Sequence, residues 1–462
     1  MFGVHQIRMH VLRTGCTLKS RQDYKSFYLL RFQAFGTNIS SGSMSHSPTI
    51  SQIRKRPRVV VAMSGGIDSA ATAYILKSAG FDCVGVFMKN WDSSDEAGEF
   101  VCSYSQDLQD MRDVCSRLEI PALEVEFVKE YWNGVFTPFL EAYQSGIETP
   151  NPDVNCNRII KFKQMKEYAL KTQDADFMAT GHYVQLGQRR PNGILHIPNF
   201  LSSSCSTGDV LRETIELSDE MPVLIRGVDS TKDQSYFLSM TSGEQLRRVL
   251  CPLGGLTKKQ VRQIVREPLH GLRVLEKAES MGVCFIGKRK FSQFLGQYIN
   301  LTPGRFIDVD TGHVVGTHQG KEALTAGQGA RIGGAEMKYF VVAHDADVAA
   351  YAGRPSQIGD ILVARGSDHP ALFSTDLSVH ISDFSWVNGR CPEVLLHDGG
   401  ILPNLLCKAR YNQPPVRCFA SRRNDRLIVS FESQQRSLTA GQICALYQND
   451  MCLGGGKIAT RG

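Results

Sequence analysis

Apolar and polar positions along this chain change their period twice. Val59–Ala62 is a continuous apolar run, the pattern of a strand buried on both faces. Ser64-Gly65-Gly66 is a tight turn, and Asp68 to about Ser78 reads as a helix carrying Ala70, Ala71, Ala73, Ile75 and Leu76, stopped by Gly80. Cys83–Trp91 is the next strand. "SQDLQDMRDVCSRL" then places Leu108, Met111, Cys115 and Leu118 on one helical stripe. "ALEVEFV" predicts a strand, "KEYWNGVFTPFLEAY" and residues 159–171 predict helices, and "DFMATGH" predicts a strand. Strands alternating with helices imply a parallel α/β sheet. Residues 185–230 read as a loop-rich surface insertion and 239–300 as mostly helical. From Pro303 onward, Gly-rich short segments such as "FIDVD", "KYFVVAH", "LIVSF" and "ICALYQND" predict small β domains or barrels. No internal repeat of fixed period is present. The units expected are 1–57 as leader and linker, 58–238 as catalytic domain, 239–300 as helical segment, 301–375 as small β domain and 376–462 as β-barrel.

Composition narrows the class. The 462 residues are 42% hydrophobic and 21% charged, ordinary for a globular protein, with no apolar run of membrane-spanning length. The formal charge is +6, from 52 basic and 46 acidic side chains. Residues 1–58 hold ten of the basic groups and only one acid, Asp23, so the other 404 carry 42 basic and 45 acidic groups, a net of −3. Any RNA binding by the body must therefore use local patches rather than bulk charge. The first ~50 residues, with Arg8, Arg13, Arg21 and Arg31 among many Ser and Thr, have the composition of an organelle transit peptide rather than of a secretory signal, a mitochondrion being favoured over a plastid although composition separates the two poorly. A disordered basic tail is the plainer alternative. Thirteen Cys are spread thinly, with no CxxC pair and no zinc spacing, so most are expected as small core residues in a reducing compartment.

Three segments carry chemistry. Ser64-Gly65-Gly66-Ile67-Asp68-Ser69 lies between a strand and a helix. Its glycines let backbone N–H groups approach a phosphate, toward which the helix also directs its positive end. Asp68 would repel a phosphate unless Mg2+ lay between them. The segment lacks the GK[ST] of a Walker loop and the GxGxxG of a dinucleotide fold. It matches the pyrophosphate-loop enzymes, which cleave ATP between the α and β phosphates. "TPNPDVNCN" (149–157) reads as a rigid, non-helical loop that holds Asp153, a candidate acid/base, three residues from Cys156. Cys284 is followed by Lys288, Arg289 and Lys290, cations that favour a thiolate. Two activated thiols beside an ATP loop point to sulfur handling, one Cys carrying a persulfide and the other resolving it as a disulfide.

Together, "AMSGGIDS", "FMKNW", "TPNPDVNCN", "IKF", "ATGHY", "KDQSYFL", "GVCFIGKRKF", "GTHQG", "DHPAL" and "CLGGGKI" closely resemble the tRNA-specific 2-thiouridylase family, its mitochondrial branch in particular, from about Val59 to Ile458. The resemblance implies an α/β pyrophosphate-loop (HUP-like) catalytic domain followed by a helical segment and C-terminal β domains. It implies adenylation by ATP, with Mg2+, of the C2 oxygen of the wobble uridine (position 34) of tRNA, then sulfur transfer from a cysteine persulfide. It implies Ala62, Met63, Ser64, Gly65, Gly66, Ile67, Asp68 and Ser69 at the phosphates, and Met88 and Gly181 at the adenine. Asn151, Pro152 and Asp153 would meet the extruded base, with Asp153 as acid/base. Cys284 would receive the persulfide, with Cys156 as nucleophile and disulfide partner. His182, Lys232, Asp233, Gln234, Arg410, Tyr411 and Gln442 would contact tRNA. A monomer in the mitochondrial matrix, fed by a cysteine-desulfurase relay and holding no structural metal, completes the expectation. The chain departs from the bacterial pattern at Glu279-Ser280-Met281-Gly282, and from the family's usual Arg at Gly329 and at Glu148. Two rivals are an amidating pyrophosphate-loop synthetase, which needs no paired thiols, and a non-catalytic tRNA-binding protein.

Overall fold

The computed structural model describes residues 56–91, 104–146, 148–189, 195–201, 220–278, 291–344 and 357–461. The expected leader, the "SSSCSTG" stretch at 202–208, and Cys284 with Lys288, Arg289 and Lys290 lie outside the described residues.

The chain opens with β1 (Arg58–Met63), α1 (Ile67–Ser78), β2 (Asp82–Lys89), α2 (Tyr104–Arg117) and β3 (Ala122–Glu126). After two helical rods come β4 (Phe177–Ala179) and, much later, β8 (Val249–Leu250). These strands form a parallel sheet in the order β3-β2-β1-β4-β8. β1 is buried on both faces: Val60 packs into one core, while Val59 and Val61 pack into the opposite one with α1 and α2. β3 alternates exposed and half-buried positions because it is the sheet edge. The chain runs β1 to β3 in one direction and returns to β4 on the other side of β1. The switch point between β1 and β4 is where a ligand crevice forms in such sheets.

The first rod is α3 (Val128–Tyr131), a π-helical stretch (Trp132–Phe136) and α4 (Thr137–Ser145), ending on left-handed Gly146. Pro138 sits inside this rod. A proline lacks the N–H and clashes with the carbonyl four residues back, and the wider turn just before it relieves both. The second rod begins one full segment earlier than the sequence implied. "TPNPDVNCN" is not a loop throughout: α5 (Pro152–Asn155) continues as π-helical turns over Cys156–Met165. Proline costs nothing at the first helical position, and the Asn151 side chain caps the turn by accepting from the Asp153 N–H at 3.2 Å.

The 185–230 region also differs from a surface insertion. Its described part holds β5 (Val184–Arg189), β6 (Leu195–His196) and β7 (Pro222–Arg226), with β5 and β7 paired antiparallel and β7 paired to the last strand of the chain. The helices α6 (Ser235–Leu238), α7 (Gly243–Leu246) and α8 (Lys258–Arg266) follow; α9 (Phe291–Leu295) leads into the middle β domain. There β9 (Gly304–Asp308), β10 (Val314–His318), β11 (Gly329–Ala330), β12 (Tyr339–His344) and β13 (Ile361–Arg365) take the order β10-β9-β13-β12-β11. The C-terminal unit comprises β14 (Phe373–His380), β15 (Ser385–Trp386), β16 (Ile401–Lys408), β17 (Val416–Arg423), β18 (Arg426–Arg436), β19 (Ile443–Gln448) and β20 (Met451–Arg461). It runs β14-β18-β17-β16-β19-β20 and closes through β20–β14 into a barrel. Ile443, Ala445 and Tyr447 of that barrel share one core with Val60, Phe136 and Phe162, so barrel and catalytic domain are packed as a unit.

Candidate functional site

The Ser64–Ser69 loop is shaped by what it lacks. Gly65 has φ +67°, and a Cβ there would stand 2.2 Å from the Asp107 carbonyl oxygen. Gly66 is the extended N-cap of α1 and brings no side chain to its end. Ser69, buried in the first turn, folds the loop onto itself: its hydroxyl donates to Gly66 O at 2.9 Å and accepts from Ser64 N–H at 3.2 Å. Ser64 itself is exposed. The Lys277 ammonium donates to the Gly65 carbonyl at 2.9 Å, to Asp110 at 3.0 Å and to Asp107, tying the loop to α2.

Asp68 meets two partners that sequence reasoning missed. Lys258 donates to both carboxylate oxygens at 2.7 and 2.8 Å, and the Tyr183 hydroxyl donates at 2.7 Å. Gly181 lies directly beneath: a Cβ there would approach the Asp68 carbonyl carbon at 2.9 Å. Met88, half-buried near the end of β2, and Gly181, just after β4, stand at the same carboxyl edge of the sheet as the loop. Glycines at 65, 66 and 181 around a helix N-terminus leave a backbone-lined cradle of a size and polarity that would fit a phosphate chain, and Asp68, held by Lys258 and Tyr183, would have to give up part of that contact to meet a Mg2+ ion.

The second half of the site is α5. Asp153 and Cys156 are three residues apart on helical backbone and so share a face. Desolvation raises the Asp153 carboxyl above the ordinary 3.8, opposed by the positive charge of Lys161. Cys156 is buried. His182 joins the two halves: one ring nitrogen meets Thr180 Oγ1 at 2.9 Å, the other Asn157 Oδ1 at 3.1 Å. Burial, reinforced by Lys161, holds this histidine well below 6.5, so it is neutral at physiological pH. His182 thus stitches the Gly181 side of the nucleotide crevice to the residue following Cys156.

The remaining expected tRNA contacts are also built into the fold. Asp233 is buried and accepts from Gly227 N–H, Ser235 N–H and the Arg226 guanidinium. Gln234 accepts from Tyr183 N–H at 3.0 Å, and Lys232 is half-buried beside it. Arg410 donates to Ser437 O and to Thr439 Oγ1 at 3.2 Å, while the Tyr411 ring packs 4.4 Å from Phe237. Gln442 reaches out of the barrel and donates to Thr149 O at 2.7 Å, beside Asn151. A cleft of about 740 Å³ opens below this point, between Tyr143, Pro150 and Pro152 on one side and His318, Gln328 and Arg331 on the other. It is wide enough for a nucleoside.

Tyr183 and Lys161 stand inside the quoted "ATGHY" and "IKF" stretches, which was the only sequence signal for either. Lys258 and Lys277 had none, since their partners lie 190 and 212 residues away.

Comparison with known proteins agrees with this architecture. Residues 57–288 match the model of a "tRNA methyl transferase HUP domain", 292–350 that of a "tRNA methyl transferase PRC-barrel domain", and 378–458 that of an "Aminomethyltransferase beta-barrel domain". The chain is 40% identical to the human mitochondrial tRNA-specific 2-thiouridylase 1, over 87% of this chain and 90% of that one. It is also 40% identical to the tRNA-specific 2-thiouridylase MnmA of Staphylococcus aureus (strain JH9), over 87% and 95% respectively. The match runs through the phosphate loop, the Asp153–Cys156 helix and the closing barrel alike, and the chain belongs to the tRNA-specific 2-thiouridylase family.

Proposed function

We propose that this protein is an ATP-dependent tRNA-uridine 2-sulfurtransferase acting on the wobble uridine in mitochondria. The observation that carries the reading is the junction of two half-sites: a glycine cradle at the β1–β4 switch point and a helix bearing Asp153 and Cys156, joined through Gly181, His182 and Asn157. Such a junction serves a reaction that first activates a substrate oxygen and then attacks the same carbon with a thiol-borne nucleophile.

Bound ATP with Mg2+ supplies the adenylyl group. Ser64–Ser69 hold its phosphates, and Met88 and Gly181 border the adenine. Asn151 and Pro152 set the rim against which the extruded uridine rests, and Asp153, its carboxyl raised by desolvation, exchanges a proton with the base. The C2 oxygen takes the adenylyl group and pyrophosphate departs. The terminal sulfur of a Cys284 persulfide then attacks C2, and AMP leaves with the oxygen. Cys156 next attacks the Cys284 sulfur, releasing the thiolated base and leaving a Cys156–Cys284 disulfide. An external dithiol reduces that disulfide, and a desulfurase relay reloads Cys284. His182, buried and held neutral, braces Asn157 next to Cys156.

The reading is separated from an amidating synthetase by the thiols. Cys284→Ser in the purified protein, given tRNA, ATP and a persulfide donor, should abolish 2-thiouridine formation while tRNA-dependent pyrophosphate release persists. Undiminished thiolation by this variant would remove Cys284 from the mechanism.

A further inference from the structure

Lys258 is built into the phosphate site from a part of the chain remote from it. Four observations fix its position. Its Nζ sits 2.7 and 2.8 Å from the two Asp68 carboxylate oxygens, with the side chain only 13% exposed. The Tyr183 ring lies 5.7 Å from the ammonium, and its hydroxyl shares Asp68 Oδ1. The backbone N–H of Lys258 donates to Asp229 at 2.9 Å, and Thr257 with Gln260 forms a capping box, so the first turn of α8 is locked. Val261 and Val265 of α8 pack into the core that α1 also lines, fixing the angle between the two helices.

The ammonium is enclosed between the Asp68 carboxylate and the Tyr183 ring. A helix-to-helix tie needs no such enclosure, since Lys on an exposed flank would serve. The ammonium stands instead at the first turn of α1, where pyrophosphate gains negative charge as it leaves. A flexible point charge can turn from one oxygen to another there without moving its helix. Resting on the ATP reading above, we propose that Lys258 is a phosphate-binding residue: in the ligand-free protein Asp68 holds its ammonium, and in the nucleotide complex the ammonium bonds directly to the pyrophosphate end of ATP.

The test is calorimetric titration of the purified full chain with magnesium pyrophosphate, with ATP and with adenosine, alongside thermal unfolding. Lys258→Met should weaken pyrophosphate and ATP binding by roughly 10- to 100-fold, the worth of one charge-assisted contact, and leave adenosine binding within about twofold. Lys258→Arg should retain most of the phosphate affinity and covers the case in which the Met variant folds poorly. The same replacement in an Asp68→Asn background separates direct contact from mere neutralisation of Asp68. A direct contact still costs about tenfold there, whereas a neutralising role costs nothing. Equal pyrophosphate affinity with and without Lys258, or a parallel loss of adenosine and pyrophosphate binding with falling melting temperature, would overturn the proposal. Failure of the unaltered protein to bind either phosphate ligand would instead sink the ATP reading and this inference together.

Discussion

On the proposed reading, Asp153 trades stability for chemistry. It stands at the second position of α5, capped by Asn151, with its carboxyl raised above 3.8 by desolvation and pulled back by Lys161. The native state therefore binds this proton more tightly than the unfolded chain does. The stability linked to the group is present below 3.8 and is lost as pH rises through the higher folded value, so at neutral pH the carboxylate is a standing cost. Asp153→Asn should abolish thiolation yet raise the melting temperature at pH 7. The gain should shrink as the pH is lowered toward 4. An unchanged or lower melting temperature at pH 7 would mean that the carboxylate is not held against its preference. His182 works in the opposite sense. Its folded value is depressed, so the stability it contributes is present above 6.5 and is lost as pH falls below it.

Among elements, the β1–loop–α1 unit has a tightly constrained turn. Gly65 combines φ +67° with contact against the Asp107 backbone, and backbone cannot retreat as a side chain end can. Gly65→Ala should therefore reduce ATP affinity by at least tenfold while the middle and C-terminal β domains remain folded. Nucleotide titration with circular dichroism checks this, and wild-type affinity would show that the loop does not set the nucleotide site. This unit was also the most legible in the sequence, because an apolar run, two glycines and an alanine-rich helix are all local signals. The Asp153–Cys156 spacing was legible in the sequence, but its helical geometry was not. Proline and asparagine suggested a loop, whereas they cap and start a helix. What stayed hidden is non-local. No period or spacing pairs Asp68 with Lys258, or Gly65 with Lys277, across about two hundred residues. The β5–β7 pair read as an insertion because its stabilising partner, β20, closes the chain more than two hundred residues later.

On the scale of the whole molecule, the C-terminal barrel holds the segment leading into the Asp153–Cys156 helix in place. Thr149 donates its N–H to Ala440 O at 2.8 Å and accepts from Gln442 on its carbonyl, while Glu148 pairs with Lys457 at 2.9 Å. Glu148, a departure from the family's usual Arg, thus has a partner supplied by the barrel. Arg226 spans Asp233 and Asp450, linking the KDQ segment to the β19–β20 turn. On the proposed reading, a body with net charge −3 would bind RNA through local groups rather than bulk charge, with Lys161 near Asp153 and Arg331 in the adjoining cleft as cations placed to do so. The central claim, sulfur insertion at the wobble uridine, is tested most directly by mass spectrometry of nucleosides from mitochondrial tRNA of cells lacking the protein. The account predicts loss of the 2-thiouridine derivatives with the unthiolated uridines in their place, restored by the intact chain and not by Cys156→Ser. Normal levels of 2-thiouridine derivatives in those cells would contradict it.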